Sequence, residues 1–526
     1  MQDNDRARRH RRPAAQAGQP LLADLNDRQR EAATAPDGPV LVIAGPGSGK
    51  TRVIITRIAY LIEQGRAAPG EIAAITFTRK AAGEMSSRLE ELLPAHVTRR
   101  VWISTFHRLC GSILREHGAR SGIRPDFGIA DEAEQLDIMR QCMFDASVDI
   151  RIWKPQTLVQ RMSVLKNTMK DPGSPEAWGK DEHRDRNASL ANAYQAVLRK
   201  TNRLDFDDML LGAVWTLHDQ PETRTAVSRR YRHVLIDEGQ DTNPPQYMLA
   251  RLIAQEHHNV FIVGDPDQAI YGWRGAELRN ILDFQKVFPN TRRIDLDTAY
   301  RSAAPLLEAA QRMIGHNRER LEHPLRAARK GSALAAVHHA KDATEEATFA
   351  IDRASTRIAR DNGTVAVLYR TNAQSRAFES GFKQAGIPYR ITGGQSFYDR
   401  PEIQDALACL QMALDPDGDD DAMRRVVDLP PHRQIGRKAI AAIDKQPGRM
   451  FWQRARHALR AGALPDWHSR GLAQRFDLAR EVRDPARAAP LDDALEAVLG
   501  ITGYLGALEK SADPDAGDRA DNVWEL

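Results

Sequence analysis

Cysteine is scarce. Cys110, Cys142 and Cys409 are the only three in 526 residues, and their wide spacing argues against a disulfide framework or a zinc ribbon and fits a reducing compartment. Long apolar runs are missing too: no stretch approaches the roughly 18 residues of a membrane span, and the start carries no secretory apolar core. Nor is one sign of charge in clear excess, because 75 basic against 71 acidic residues leave +4, too small a bias to reveal a polyanionic partner. The expectation from these absences is a soluble cytoplasmic protein with no membrane attachment. What is present, 42% hydrophobic and 28% charged residues, is the composition of a folded chain, and the length suits roughly three to four domains.

Residues 1–20 hold Arg6, Arg8, Arg9, Arg11 and Arg12 and read as a basic, disordered tail. From there "PVLVIAGPGSGKTRVIITRIAYLIEQG" reads as strand, glycine-rich loop and helix, with Val53, Ile54, Ile58, Leu61 and Ile62 on one helical face. Gly45, Gly47, Ser48 and Gly49 would turn backbone N–H groups toward phosphate oxygens at a helix N-terminus, whose dipole favours an anion. Lys50 would reach the β- and γ-phosphates of ATP, and the Thr51 hydroxyl would hold Mg²⁺. The general pattern starts with glycine, where this chain has Ala44.

Three later strands also end in polar residues: "EIAAITFTRKAA", "HVLIDEGQDTN" and "NVFIVGDPDQ". Reactive groups at the carboxyl ends of short apolar strands are the site geometry of a parallel α/β sheet. The pair Asp237 and Glu238 suits metal coordination by the first and activation of a water by the second. The stretch "VGDPDQAIYGWRGA" then places Tyr271, Trp273 and Arg274, groups suited to a flat ligand, just beyond the acids. Lys50 and Asp237 stand farther apart than one nucleotide domain requires, so an insertion is expected. The segment from about Leu109 to Lys200 is rich in Arg, Gln, Met, Leu and Ala and reads as helical. Strand signals return in "TVAVLYRTN" and "IPYRITGG", and from about Pro401 the pattern is helical again.

In order and spacing these motifs resemble the superfamily 1 DNA helicases of the UvrD, Rep and PcrA type, from about Leu25 to Leu526. "LNDRQREA", "AGPGSGKT", "TFTRKAAGEM", "STFH", "DFDDML", "DEGQDTN", "VGDPDQAIYGWRGA" and "YRS" follow in family order, and the family's phosphate loop commonly begins with alanine. The resemblance implies an α/β fold with two RecA-like parallel-sheet lobes, the second incomplete, each carrying a mostly helical insertion. The first lobe would take residues 21–108 and 201–298, with 109–200 inserted; the second would begin with 299–400, with 401–526 as its insertion. Asp237 would bind the metal, Glu238 would be the catalytic base and Gln268 would sense the γ-phosphate. Gln29 would contact adenine, Tyr300 and Arg52 would sandwich it, and Arg301 would neutralise the γ-phosphate. Tyr271 and Trp273 would stack on bases of single-stranded DNA, with Phe77, Phe106 and His107 further along the groove and Lys80 and Arg274 on backbone phosphate. Arg79, Gly239 and Ala299 depart from the family pattern.

The resemblance thus implies a 3′ to 5′ helicase that couples ATP hydrolysis to single-strand translocation and duplex separation. Two family motifs expected after the second insertion, Thr-x-His-x-x-Lys-Gly and a second γ-phosphate arginine, do not occur before Leu526. The accompanying expectation is a chain cut short, which alone binds nucleotide weakly and does not unwind DNA unless a downstream polypeptide is supplied. The other function weighed is a non-unwinding protein that binds DNA and nucleotide.

Overall fold

In the computed structural model the described residues are 21–526 except 151–152, 273–274, 324, 332–334, 362, 372–373, 393–399, 416–419, 428, 430, 432–434, 436, 489, 511–515 and 525. The basic tail, Trp273 and Arg274 therefore lie outside the described residues. The chain forms two compact units, Met1–Ala336 and Val337–Leu526.

The first unit is built on a parallel sheet of six strands: β1 Val40–Ala44, β2 Ile72–Thr76, β3 Trp102–Thr105, β4 His233–Ile236, β5 Val260–Gly264 and β6 Arg292–Leu296, in the order β3-β2-β4-β5-β1-β6. Strands β1, β2, β4 and β5 are buried along their whole length, as a sheet covered on both faces requires. Their side chains alternate between two cores. Leu41, Ile43, Ala73, Ile75, Val234, Ile236 and Ile262 pack on one face with helices α4 Phe106–His117, α8 Phe206–Asp219 and α9 Pro244–Ile253. Val40, Val42, Ile72, Ala74, Leu235 and Val263 pack on the other with α2 Lys50–Glu63 and α3 Arg79–Glu90.

Register places the strand ends level. Ile43 of β1 pairs with Gly264 of β5, Ala44 with Leu296 of β6, and Ile236 of β4 with Ile75 of β2. The loops that follow β1, β2, β4, β5 and β6 consequently leave from one edge, where the sheet order reverses around β1. A short helix α1, Asp27–Ala33, capped by Asn26, packs near α2. Beyond β6, strand β7 Thr298–Ala303 pairs in parallel with β8 Arg326–Arg329.

Between β3 and β4 lie α5 Glu132–Asp145, α6 Pro155–Asn167 and α7 Arg184–Lys200, joined by a core that includes Met139, Met143, Leu158, Met162, Trp178, Leu190 and Tyr194. The segment read as mostly helical is mostly helical among its described residues, with one short strand, Gly128–Ile129, paired in parallel with Arg203–Leu204. Among the described residues of Val337–Leu526 the regular elements are helices, with a core on Pro401–Leu414 that gathers Ile403, Leu410, Met412, Phe451, Trp452, Leu472 and Tyr504.

The two later strand signals are corrected. Over 364–371 and 387–392 no strand forms, while 372 and 393–394 lie outside the described residues. A β-branched run becomes a strand only when a neighbour supplies ladder partners, and Leu368, 89% exposed, has no such cover among the described residues.

Candidate functional site

The loop after β1 is shaped by two glycines in the left-handed region, Gly47 (φ 74°) and Gly49 (φ 94°), the second being the N-cap of α2. Ser48, fully buried, donates its hydroxyl to the Gly45 carbonyl at 2.8 Å and closes the turn. Gly47 is also a point of close approach. A Cβ there would fall 2.6 Å from Arg301 Cβ, and the Tyr300 N–H donates to the Gly47 carbonyl at 2.9 Å. Strand β7 itself is thereby laid on the loop, bringing Arg301 to it. Gln29 Nε2 donates to the Ser48 carbonyl at 2.8 Å, and Asn26 Nδ2 donates to the Tyr300 hydroxyl at 2.8 Å. Arg52 is exposed and lies 3.4 Å from Asp24. The structure thus brings together Gln29, Gly45 to Thr51, Tyr300 and Arg301, residues drawn from three separate stretches of sequence.

An acidic cluster faces the same loop. Lys50 Nζ lies 3.0 Å from Glu238 Oε2. Glu238 itself sits at φ 52°, an uncommon backbone for a side chain of its size and one that marks functional turns. Its N–H donates to Asp237 Oδ1 at 3.0 Å. Burial, reinforced by the charge of Glu238, pushes the Asp237 carboxyl up to about 6, and the same two causes push Asp241 up to about 6. Burial also raises Asp265, whose carboxylate accepts from Gln268 Nε2 at 2.6 Å. Gln240 ties the two strand ends together, donating to Glu238 Oε2 at 3.0 Å and accepting from the Asp265 N–H at 3.0 Å. Several desolvated carboxylates around one lysine form a site short of positive charge. That donor set fits a hard divalent cation with a phosphate ligand, with Asp237 and Thr51 as the residues to hold it.

Motif reading passed over some members of this edge. Arg320 pairs with Asp267 at 2.8 Å, and His323 is grouped with Asp265 and Asp267. Both belong to the connection between β7 and β8, which carries no sequence signal beyond its charge.

The aromatic candidates divide. Phe77, after β2, and Tyr271, after β5, stack on each other with ring centroids 5.1 Å apart. His107 is half-buried with its ring edge-on to Phe206 at 5.5 Å, and burial lowers its pKa, so it is neutral near pH 7. Lys80 is exposed beside Glu84. Phe106 is a correction: at 4% exposure it packs in the sheet core with Leu109 and Ile113, and a ring buried on both faces offers none to a base.

Residues 25–289 match the family model described as UvrD/REP helicase N-terminal domain, and residues 294–451 match the UvrD-like helicase C-terminal domain. The chain is 33% identical over 516 residues to the ATP-dependent DNA helicase PcrA of Staphylococcus epidermidis, covering 96% of this chain and 70% of that protein. The helicases of the same name from Leuconostoc citreum (34% identity, 96% and 68% covered) and Staphylococcus aureus (33% identity, 96% and 70% covered) are similar to the same extent. On these matches and this geometry, the chain belongs to the UvrD/Rep family of DNA helicases.

Proposed function

We propose that the protein hydrolyses ATP at the edge between the β1 loop and the ends of β4 and β5, and uses the cycle to move along single-stranded DNA from 3′ to 5′ and separate duplex. The observation that carries this reading is the convergence of Lys50, Glu238 and the Tyr300–Arg301 segment on one glycine loop. The loop N–H groups and the α2 terminus would bind the phosphates, with Gln29 and Tyr300 toward the base and Arg52 on its open side. Thr51 and Asp237 would hold Mg²⁺, which, when bound, neutralises charge on the β- and γ-phosphates. Glu238, released from Lys50 as the phosphates take over that cation, accepts a proton from the attacking water. The water oxygen bonds to the γ-phosphorus, and the bond to the β–γ bridging oxygen breaks, yielding ADP and phosphate. Arg301 and Lys50 stabilise the charge that spreads over the transferring group. Gln268, held by Asp265, would report whether the γ-phosphate is present.

DNA would lie across Phe77 and Tyr271, with Lys80 and His107 flanking; Trp273 and Arg274 belong to the same proposal, although they lie outside the described residues. Stacking on bases is indifferent to sequence, as movement along any strand demands. In this reading residues 21–108 and 201–298 form the first motor lobe around the 109–200 insertion, and the protein works in the cytoplasm, where its DNA is.

The test is strand separation with Mg²⁺-ATP on duplexes carrying either a 3′ or a 5′ single-stranded tail. Opening of the 3′-tailed duplex alone supports the proposal. Binding of nucleotide and DNA without opening favours the non-unwinding alternative, and opening of only the 5′-tailed duplex contradicts the polarity.

A further inference from the structure

Asn167, the last residue of α6 and only 7% exposed, lies where three segments of the first unit meet. Its Oδ1 accepts from Asn243 Nδ2 at 2.6 Å. Asn243 closes the acidic stretch that begins at Asp237, and its own Oδ1 caps α9 by accepting from the Gln246 N–H at 2.9 Å. The Asn167 Nδ2 donates to Asp207 Oδ1 at 2.9 Å and to the Ser163 carbonyl at 2.9 Å. Gly275, at φ 81° in the loop that carries Tyr271, comes so near that a Cβ on it would lie 2.9 Å from Asn167 Cβ. The same loop is fastened again to the acidic stretch, since the Glu277 N–H and Asn280 Nδ2 both donate to the Thr242 carbonyl, at 3.0 and 2.9 Å.

One amide therefore accepts from the nucleotide side, donates to α8 and supports the backbone of the aromatic loop. Its neighbour Lys166, buried between Asp205 at 2.6 Å and Asp208 at 2.7 Å, anchors that end of α6 and leaves Asn167 little freedom to turn away. We infer that Asn167 is a positioning residue that couples occupancy of the nucleotide site to the grip of the aromatic loop on DNA, making the helical insertion part of the linkage. The inference rests on the function proposed above and adds to it a residue outside the nucleotide and DNA contacts. It requires that the two ligands bias one shared arrangement of this junction, which is what defines coupling between sites.

The experiment is a pair of titrations on the full chain, with a fluorescent oligothymidylate as DNA probe, in the absence and in the saturating presence of a non-hydrolysable ATP analogue with Mg²⁺. The wild-type affinity for DNA is expected to change by a factor of roughly 5 to 150 on adding the analogue. In Asn167→Ala each ligand alone binds as in wild type while that factor falls to unity. Asn167→Asp, which keeps the volume and the acceptor for Asn243 but sets a carboxylate against Asp207, gives the same result if the alanine variant folds poorly. Retention of the wild-type factor in either folded variant overturns the inference and leaves the functional reading intact. So does a loss of both affinities in step with melting temperature, the mark of a purely structural residue. Failure of the wild type to bind one of the two ligands defeats the functional reading itself, and this inference with it.

Discussion

The rings of Phe77 and Tyr271 stack with centroids 5.1 Å apart and planes 26° from parallel. They come from different strand ends, and under the proposed function each ring stacks on a DNA base. Phe77→Ala and Tyr271→Ala are each expected to weaken single-stranded DNA binding by roughly 1 to 3 kcal/mol, with nucleotide affinity unchanged. Because each ring is the other's neighbour, the double variant should lose less than the sum. Anisotropy titrations of all four proteins check this; strictly additive losses would show that the two rings do not share a base.

Asp237 predicts a pH dependence. Its carboxyl, ordinarily at 3.8, is pushed up to about 6 by burial and by Glu238. The folded protein then holds a proton between those values that the unfolded chain has already lost. The resulting destabilisation is absent below 3.8, grows as pH rises and is complete above about 6. Asp237→Asn should accordingly raise stability at pH 7.5 by roughly 3 kcal/mol, with the gain vanishing in acid. Mg²⁺-dependent nucleotide binding by the wild type should weaken as pH falls below about 6, because only the carboxylate can hold the ion. Denaturant melts and nucleotide titrations across pH check both; a pH-independent difference between variant and wild type would place Asp237 in a solvated setting.

Lys166 is the cation of a buried cluster in which Asp205 also accepts from the Tyr194 hydroxyl at 3.2 Å. Removing one partner of a buried ion pair strands the other. Lys166→Met should cost roughly 3 to 5 kcal/mol in the unfolding transition of the first unit, read by denaturant melts. Substituting Asp205 and Asp208 by Asn in the same chain should recover part of that loss, and an unperturbed single variant would contradict the assignment.

The edge that gathers Lys50, Asp237 and Glu238 was legible in the sequence because its parts are local. A strand that runs into Gly47, Ser48, Gly49 and Lys50, or into Asp237 and Glu238, announces both its end and its chemistry within a few residues. The helical insertion was legible from composition and periodicity. What stayed hidden depends on contacts between distant segments. Phe106 follows a polar strand end just as Phe77 does, yet α4 turns it into the core while Phe77 meets Tyr271. Ala299, a departure from the family pattern, is fully buried against Leu307 and Leu325, where a small apolar side chain fits. The contacts of Asn167 with Asp207 and of Arg320 with Asp267 carry no local signature, since each joins residues more than thirty positions apart. The apolar run at 364–369 shows the opposite failure, a strand signal whose ladder is not formed among the described residues.

The central claim is that one edge of the sheet holds ATP while the adjoining loops hold DNA, with Lys50 shared between Glu238 and phosphate. The most direct measurement is the steady-state rate of ATP hydrolysis as single-stranded DNA is added to the wild type and to Lys50→Ala. The account predicts a rate that rises with DNA in the wild type and is lost in Lys50→Ala, with the variant still folded because its side chain faces ligand instead of core. Hydrolysis that persists in Lys50→Ala, or a wild-type rate indifferent to DNA, would contradict it.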